Sequence, residues 1–136
     1  MKRVLGIGVA VIVALGVGWA WGTYGRSTVT RALQTAELRD SLLDGRGAVL
    51  DARLDIYNVN FGEASRHLEA ARTALNSASS SLDTLGRQED SKRLALALTR
   101  IDEAQRMAGK LNQDANALAA DAAKRIDDVL GGPAAR

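Results

Sequence analysis

The side chains that could do chemistry are few and do not converge on one site. His67 is the only histidine; it follows Glu63 by one helical turn and lies beside Arg66. A metal site needs companion ligands at fixed spacing, and the sequence supplies neither a cysteine nor a second histidine. We therefore expect His67 to be a solvated or interface residue, and we expect no metal site.

The other reactive residue types also have a simpler surface interpretation. The neighbouring acids Asp102 and Glu103, like Asp127 and Asp128, diverge on a helix because adjacent residues do not share a face. Serines fill positions 79–81 without a base nearby. The glycines near the N-terminus lack the strand–turn–helix setting of a phosphate loop. The sequence predicts no enzyme and no cofactor.

The elements that position these residues begin with an apolar segment at Val4–Tyr24. As a helix it is roughly 31 Å long, which matches the hydrocarbon core of a bilayer. Its end carries aromatic and basic residues typical of a membrane interface: Trp19, Trp21, Tyr24 and Arg26. We expect a transmembrane helix over residues 4–25, preceded by a short tip of residues 1–3.

Small residues occupy every fourth position of that segment: Gly6, Ala10, Ala14, Gly18 and Gly22. This spacing allows two helix backbones to approach closely, and such packing holds helices together in lipid. We expect this small-residue ladder to dock against another transmembrane helix, from a second copy or from a different protein. The alternative is a Gly- and Ala-rich span that only faces lipid.

The charge distribution bears on orientation and partners. Lys2 and Arg3 precede the span, and the rest of the chain carries 16 basic and 16 acidic residues. This balance argues against nucleic acid, whose binders cluster basic residues on one face. The charged tip favours the inner (cytoplasmic) membrane, with the N-terminus inside and the domain in the periplasm or outside. The alternative is a secretory signal cleaved near Gly22.

The remaining sequence, residues 26–130, has the three- and four-residue apolar spacing of coiled-coil helices. The first series is Leu38, Leu42, Gly45, Val49, Ala52, Ile56 and Val59; the second is Phe61, Ala64, Leu68, Ala71, Leu75, Ala78, Leu82 and Leu85. The third is Leu94, Ala97, Ile101, Ala104, Ala108, Leu111, Ala115, Leu118 and Ala122. Leu43, Leu50, Leu54 and Tyr57 widen the first series, so we expect that helix to face two neighbours.

The helix ends can be predicted from capping residues. Asn60 with Glu63 forms a capping box, and Gly86 suits the position just after a helix. We predict helices over 27–58, 61–85 and 90–130, with a flexible tail at 131–136. The expected fold is all-α, a single N-terminal transmembrane helix followed by an extended antiparallel three-helix coiled-coil bundle. The apolar phase runs unbroken past Gly45, which predicts a glycine at a close helix contact.

The predicted helix lengths are unequal, at about 48, 38 and 60 Å. A continuous third helix extends beyond its neighbours, so its distal residues form a candidate partner surface: Leu118, Ala122, Ile126, Val129 and Leu130. The alternative is a break near Gly109–Asn112 that lets a fourth helix fold back.

Together these features suggest a non-catalytic, single-pass accessory subunit. It would dock through the small-residue ladder and through the distal end of the last helix, and so brace a larger multisubunit membrane complex. Photosynthetic reaction-centre–antenna and respiratory assemblies are examples. The expected partners are the lipid bilayer and other membrane subunits, with a homodimer possible. The alternatives are a self-associating coiled-coil tether or envelope sensor, and a periplasmic helical binding module.

Overall fold

The computed structural model describes the backbone of residues 2–132 and the side chains of residues 29–132. Within that part the chain forms four helices and no strand: α1 Lys2–Tyr57, α2 Phe61–Thr84, α3 Gln88–Ala108 and α4 Ala115–Leu130. The predicted all-α class is confirmed. The chain divides into two compact units, residues 1–34 and residues 35–136.

In the first unit the backbone is helical from Lys2 onward. The side chains of residues 1–28 lie outside the described part, so the transmembrane helix over 4–25 stays a prediction. Where side chains are described, no helix is both long and apolar enough to cross a membrane.

The second unit is a bundle in which each helical segment contacts the next and the last returns to the first. Four cross-helix pairs mark this closed ring: Asp55–His67, Arg72–Asp102, Arg100–Asp121 and Arg46–Asp127. Arg46 pairs with Asp127 and Arg53 with Asn116, so residue numbers run in opposite directions along α1 and α4. This is an up-and-down four-helix arrangement.

The predicted continuous helix over 90–130 is wrong. α3 ends at Ala108 and α4 begins at Ala115, so the predicted three-helix bundle contains a fourth helix. The sequence conceals the break because these two buried alanines are seven residues apart, one full heptad. The three- and four-residue spacing therefore continues across a turn as if the helix did.

The turn itself depends on local polar chemistry. Leu111 adopts a left-handed conformation with φ of 56°, which takes the chain out of the helix. Asn112 Oδ1 then accepts a hydrogen bond from the backbone N–H of Asp114 at 2.8 Å, an Asx turn. Gly109 is the C-cap of α3.

The expected free end of the last helix is not free. Because α4 folds back onto the bundle, Ala122, Ile126 and Val129 are fully buried, and Leu118 and Leu130 pack partly buried against the core. These five residues are core residues and not a partner surface.

The core otherwise follows the predicted series. Its large buried side chains are Leu38, Leu42, Val49, Ile56, Phe61, Leu68, Leu75, Leu82, Leu94, Ile101, Ile126 and Val129, with alanines between them. No polar or charged residue is buried among the residues whose side chains are described. Val59 departs from its series: it is exposed in the α1–α2 turn with φ of 59°.

Three local predictions are confirmed. Asn60 Oδ1 accepts a hydrogen bond from Glu63 N–H at 3.5 Å and caps α2. Gly86 has φ of 70°, as expected just after that helix. Gly45 lies at a close helix contact, since a Cβ built there would meet Leu75 Cδ2 at 2.6 Å.

Candidate interaction surface

The outward face of α1 carries a row of apolar and small residues that the bundle leaves uncovered. We call this row the outer stripe: Leu43, Gly47, Leu50, Leu54 and Tyr57. The side chains of Leu43, Leu54 and Tyr57 are 46%, 60% and 76% exposed, and Leu50 is partly buried against the core. A Cβ added at Gly47 would meet nothing within 4 Å. The stripe is therefore open along its length.

The outer stripe exists because α1 carries two apolar series on one helix. The inner seam, Leu38, Leu42, Gly45, Val49, Ala52 and Ile56, faces the core. The outer stripe lies roughly 140° around the helix from it. α2 and α4 flank α1 through the Asp55–His67 and Arg46–Asp127 pairs, and neither helix covers this face. The two helices expected beside α1 are therefore present as α2 and α4, but they leave the outer stripe exposed.

Charged residues border the outer stripe with opposite signs on its two sides. Arg39, Arg46 and Arg53 lie along one border, and Glu37, Asp44 and Asp51 along the other. The basic border faces α4: Arg46 pairs with Asp127, whose hydrogen bond raises the Arg46 pKa. Arg53 Nε donates to Asn116 Oδ1 at 3.0 Å.

Four of these bordering charges have no partner within the described side chains. Glu37, Arg39, Asp44 and Asp51 make no ion pair and no side-chain hydrogen bond there. Arg106, Lys110 and Asp114 are also without such a partner, but many other charges of the bundle are paired within the chain. Arg100 contacts Glu103 at 2.6 Å and Asp121 at 2.9 Å, for example. Four unpaired charges thus border the uncovered apolar row.

On the α3–α4 side, by contrast, neighbouring charges form ion pairs with each other within the chain. Arg125 Nε lies 3.1 Å from Asp121 Oδ2, and this hydrogen bond, with help from Arg100, holds the pKa of Asp121 below its usual value. Its carboxylate therefore already has two cationic partners in the same chain. No row of large exposed apolar residues accompanies these pairs in the described part of α3 and α4.

Most of the candidate chemical residues make ordinary surface contacts. His67 Nδ1 lies 2.8 Å from Asp55 Oδ2, which ties α2 to α1. The hydroxyls of Ser80 and Ser81 donate to backbone carbonyls one turn earlier. Asp128 Oδ2 lies 3.4 Å from Lys124 Nζ. Within residues 29–132 no three His, Cys, Asp or Glu side chains form a group that could hold a metal ion.

Two clefts on the bundle are open to solvent. One, of about 480 Å³, is lined by Arg93, Arg125, Asp128, Gly131 and Gly132. The other, of about 370 Å³, is lined by Arg72, Asp102, Gln105 and Arg106. Ligand sites usually enclose most of the ligand among apolar walls, which these charged surface clefts do not do.

The predicted membrane residues lie outside the described side chains. This holds for the small-residue ladder Gly6, Ala10, Ala14, Gly18 and Gly22, and for the interface residues Trp19, Trp21, Tyr24 and Arg26. Sequence reasoning identified the residues that widen the α1 series but missed the charges beside them. Their position just before or just after a stripe residue was the available signal.

No protein-family model matches the chain, and comparisons with curated proteins and with solved structures give no significant match.

Proposed function

We propose that this chain is a non-catalytic, single-pass accessory subunit that docks to a larger multisubunit membrane complex and braces it. A photosynthetic reaction-centre–antenna assembly or a respiratory assembly is an example of such a complex. In this proposal residues 4–25 anchor the chain in the inner membrane, and the small-residue ladder contacts a neighbouring transmembrane helix. The N-terminus lies inside and the helical domain lies in the periplasm.

The observation that carries the proposal is the outer stripe of α1. Small soluble domains seldom expose a continuous row of large apolar side chains unless a partner covers it. The inner seam of the same helix already fills the core, and of the outer stripe only Leu50 packs against it, so the stripe contributes little to the stability of the bundle itself. An apolar row at helical spacing suits a partner helix that packs along it.

The outer stripe takes the place of the distal surface that the sequence suggested. Of that distal surface, Ala122, Ile126 and Val129 are fully buried in the core, and Leu118 and Leu130 pack against it partly buried. The proposal still rests on two contact regions in one chain. One is the small-residue ladder and the other is the outer stripe.

A binding module for small ligands is less well supported. The described core is built from aliphatic side chains, alanine and Phe61, and no polar or charged residue is buried in it. Gln105 Oε1 is buried without a hydrogen-bond partner, but Gln105 lines a cleft that is open to solvent and does not enclose a ligand. Most charged residues that border the open clefts are already paired within the chain; Asp128, for example, lies beside Lys124. The chemistry of the bundle therefore favours packing against another protein.

A self-associating tether or envelope sensor is the second candidate function. It is favoured by one observation, the opposite charges on the two borders of the outer stripe. Such borders suit a coiled-coil partner, and a second copy of the chain would provide one.

Crosslinking and mass spectrometry on gently solubilised membranes separate the two candidates. The accessory-subunit proposal predicts crosslinks from residues 35–57 to other polypeptides and co-migration with one large complex. Crosslinks confined to copies of this chain would contradict that proposal and support the tether.

A pair of substitutions tests the anchor. Ala14→Ile and Gly18→Ile together place bulky side chains on the small-residue ladder, so we expect release of the chain from the complex. The matched control, Gly16→Ile with Ala20→Ile, makes the same two residue changes on the opposite face of the helix and should leave the complex intact. Equal retention of both double variants would contradict a role for the ladder.

A further inference from the structure

The outer stripe has the spacing of a two-stranded coiled-coil seam. Its members are separated by four, three, four and three residues, so they alternate between the a and d positions of a heptad. Leu43, Leu50 and Tyr57 take d positions, and Gly47 and Leu54 take a positions. A seam of this kind fits one helix packed nearly parallel to α1, and a flat or globular surface would not need it.

The bordering charges determine which helix that can be. Relative to the seam, the g positions are basic at Arg39, Arg46 and Arg53, and the e positions are acidic at Asp44 and Asp51. In a parallel coiled coil each g residue faces the e residue five positions later on the other helix. Two copies of α1 in register therefore match Arg39 with Asp44 and Arg46 with Asp51, and they do so twice by symmetry.

An antiparallel pair of the same helices would be unfavourable. In that arrangement g positions face g positions and e positions face e positions, so arginine meets arginine and aspartate meets aspartate. Like charges across a helix pair are destabilising. The charge pattern is thus self-complementary in one orientation only.

We propose that the outer stripe of α1 is the contact through which two copies of this chain pair, with their α1 helices parallel and in register. Arg39, Asp44 and Asp51 lack ion-pair partners within the described side chains, and the pairing supplies them. Arg46 keeps Asp127 on one side while 38% of its side chain remains exposed toward the second copy. This pairing deepens the second candidate function, the self-associating tether, because it covers the outer stripe with a second copy. Under the accessory-subunit proposal a different polypeptide covers that face.

The same pattern limits the strength of the contact. Asp40 occupies the next a position toward the N-terminus, so two carboxylates would meet there and interrupt the apolar seam beyond Leu43. The remaining seam covers only about two heptads and includes Gly47, which contributes no side chain. We expect a weak pair that forms when the chains are concentrated, as they are when two copies share one membrane.

The absence of cysteine from the sequence makes disulfide trapping a direct test in the full-length chain. Leu43→Cys, Leu50→Cys and Tyr57→Cys are made singly, with the chain in its native membranes. A parallel pair in register places each cysteine next to the same cysteine of the second chain. All three variants should therefore form disulfide-linked dimers. Leu96→Cys, an exposed leucine on α3 outside the stripe, is the matched control.

Each other outcome overturns the proposal. Positions 43 and 57 are about 21 Å apart along α1, so an antiparallel pair centred on the stripe would trap only position 50. Trapping no greater than that of the Leu96→Cys control would mean that the stripes do not meet. A disulfide to a different polypeptide would assign the stripe to another partner and would still agree with the accessory-subunit function.

A charge exchange tests the pairing by a second route. Arg39→Glu and Asp44→Arg each place like charges across the seam, and each should weaken dimerisation roughly three- to tenfold. The double variant restores opposite charges and should recover to within about twofold of the original chain. Neither residue makes an ion pair or a side-chain hydrogen bond within the described part of the chain, so thermal unfolding should change little in all three variants. A double variant as weak as the single ones would contradict parallel pairing.

Discussion

Leu42 and Leu43 are neighbours in the sequence, yet they belong to different faces of α1. Leu42 lies in the inner seam and is 2% exposed, whereas Leu43 lies in the outer stripe and is 46% exposed. Both series have heptad spacing, so the sequence pattern alone does not distinguish them. The two series differ in whether other helices pack over them, because α2 and α4 contact α1 on its inner side only. Periodicity identifies which residues share a face, and the packing of the whole bundle decides whether that face is filled.

The two faces also use glycine differently. Gly45 in the inner seam lies directly against Leu75 of α2, and Gly47 in the outer stripe has open space in front of it. The first glycine permits close helix packing within the chain. The second leaves a gap in a surface that has no partner within the described part of the chain.

The largest expected difference between the faces comes from truncating the two leucines. Leu42→Ala removes buried methyl groups and should lower the free energy of unfolding by about 2–4 kcal/mol. Leu43→Ala removes groups that are half exposed and should lower it by less than about 1 kcal/mol. Urea unfolding of the full-length chain, followed by circular dichroism, measures both. Equal losses would mean that the two faces are equally buried.

Alanine at the two glycines should have effects of opposite sign. Gly45→Ala places a methyl group against Leu75 and should destabilise the bundle by about 1–3 kcal/mol despite the better helix propensity of alanine. Gly47→Ala meets nothing and should stabilise the bundle by about 0.5–1 kcal/mol. The same unfolding measurement applies.

A double variant checks the cause of the Gly45 effect. If the loss arises from contact with Leu75, then adding Leu75→Ala should make the two changes less than additive. Strict additivity, or a stabilising Gly45→Ala, would show that these helices do not pack closely at this point.

The smallest expected effect concerns the basic border of the outer stripe. Asp127→Asn removes the exposed ion pair with Arg46 and should reduce the melting temperature only slightly, with no reduction left at high salt. The same change frees Arg46 for Asp51 of a second copy, so disulfide trapping through Leu43→Cys should not decrease. A large loss of stability at high salt would place this pair among the main supports of the α1–α4 contact.

Much of the bundle could be predicted from its sequence. Local signals determined the α1–α2 turn, where Asn60 caps the next helix, and Gly86 marked the end of α2. The α3–α4 turn was missed because Ala108 and Ala115 are one heptad apart, so the apolar spacing continues across the turn. The residues that form the Asx turn, Asn112 and Asp114, are only two polar residues in a polar stretch and did not stand out. Once α4 is known to fold back, the burial of Ile126 follows.

The candidate surface was only partly predictable. The spacing of Leu54 and Tyr57 indicated a second apolar series on α1, but whether another helix would cover it depends on where α2 and α4 lie. That placement is set by contacts between residues far apart in sequence, such as Arg53 with Asn116. The unpaired state of Arg39 and Asp44 likewise becomes visible only when the positions of all the charged groups are known.

The most direct test of the outer stripe as a contact surface is the yield of disulfide dimer from Leu43→Cys with and without Leu54→Asp. Position 54 lies about 16 Å from position 43 along α1, so the aspartate cannot act on the cysteine itself. We predict that Leu54→Asp abolishes trapping while the unfolding transition stays unchanged, because Leu54 is outside the core. An undiminished yield of disulfide dimer would contradict the assignment of this face as a contact surface.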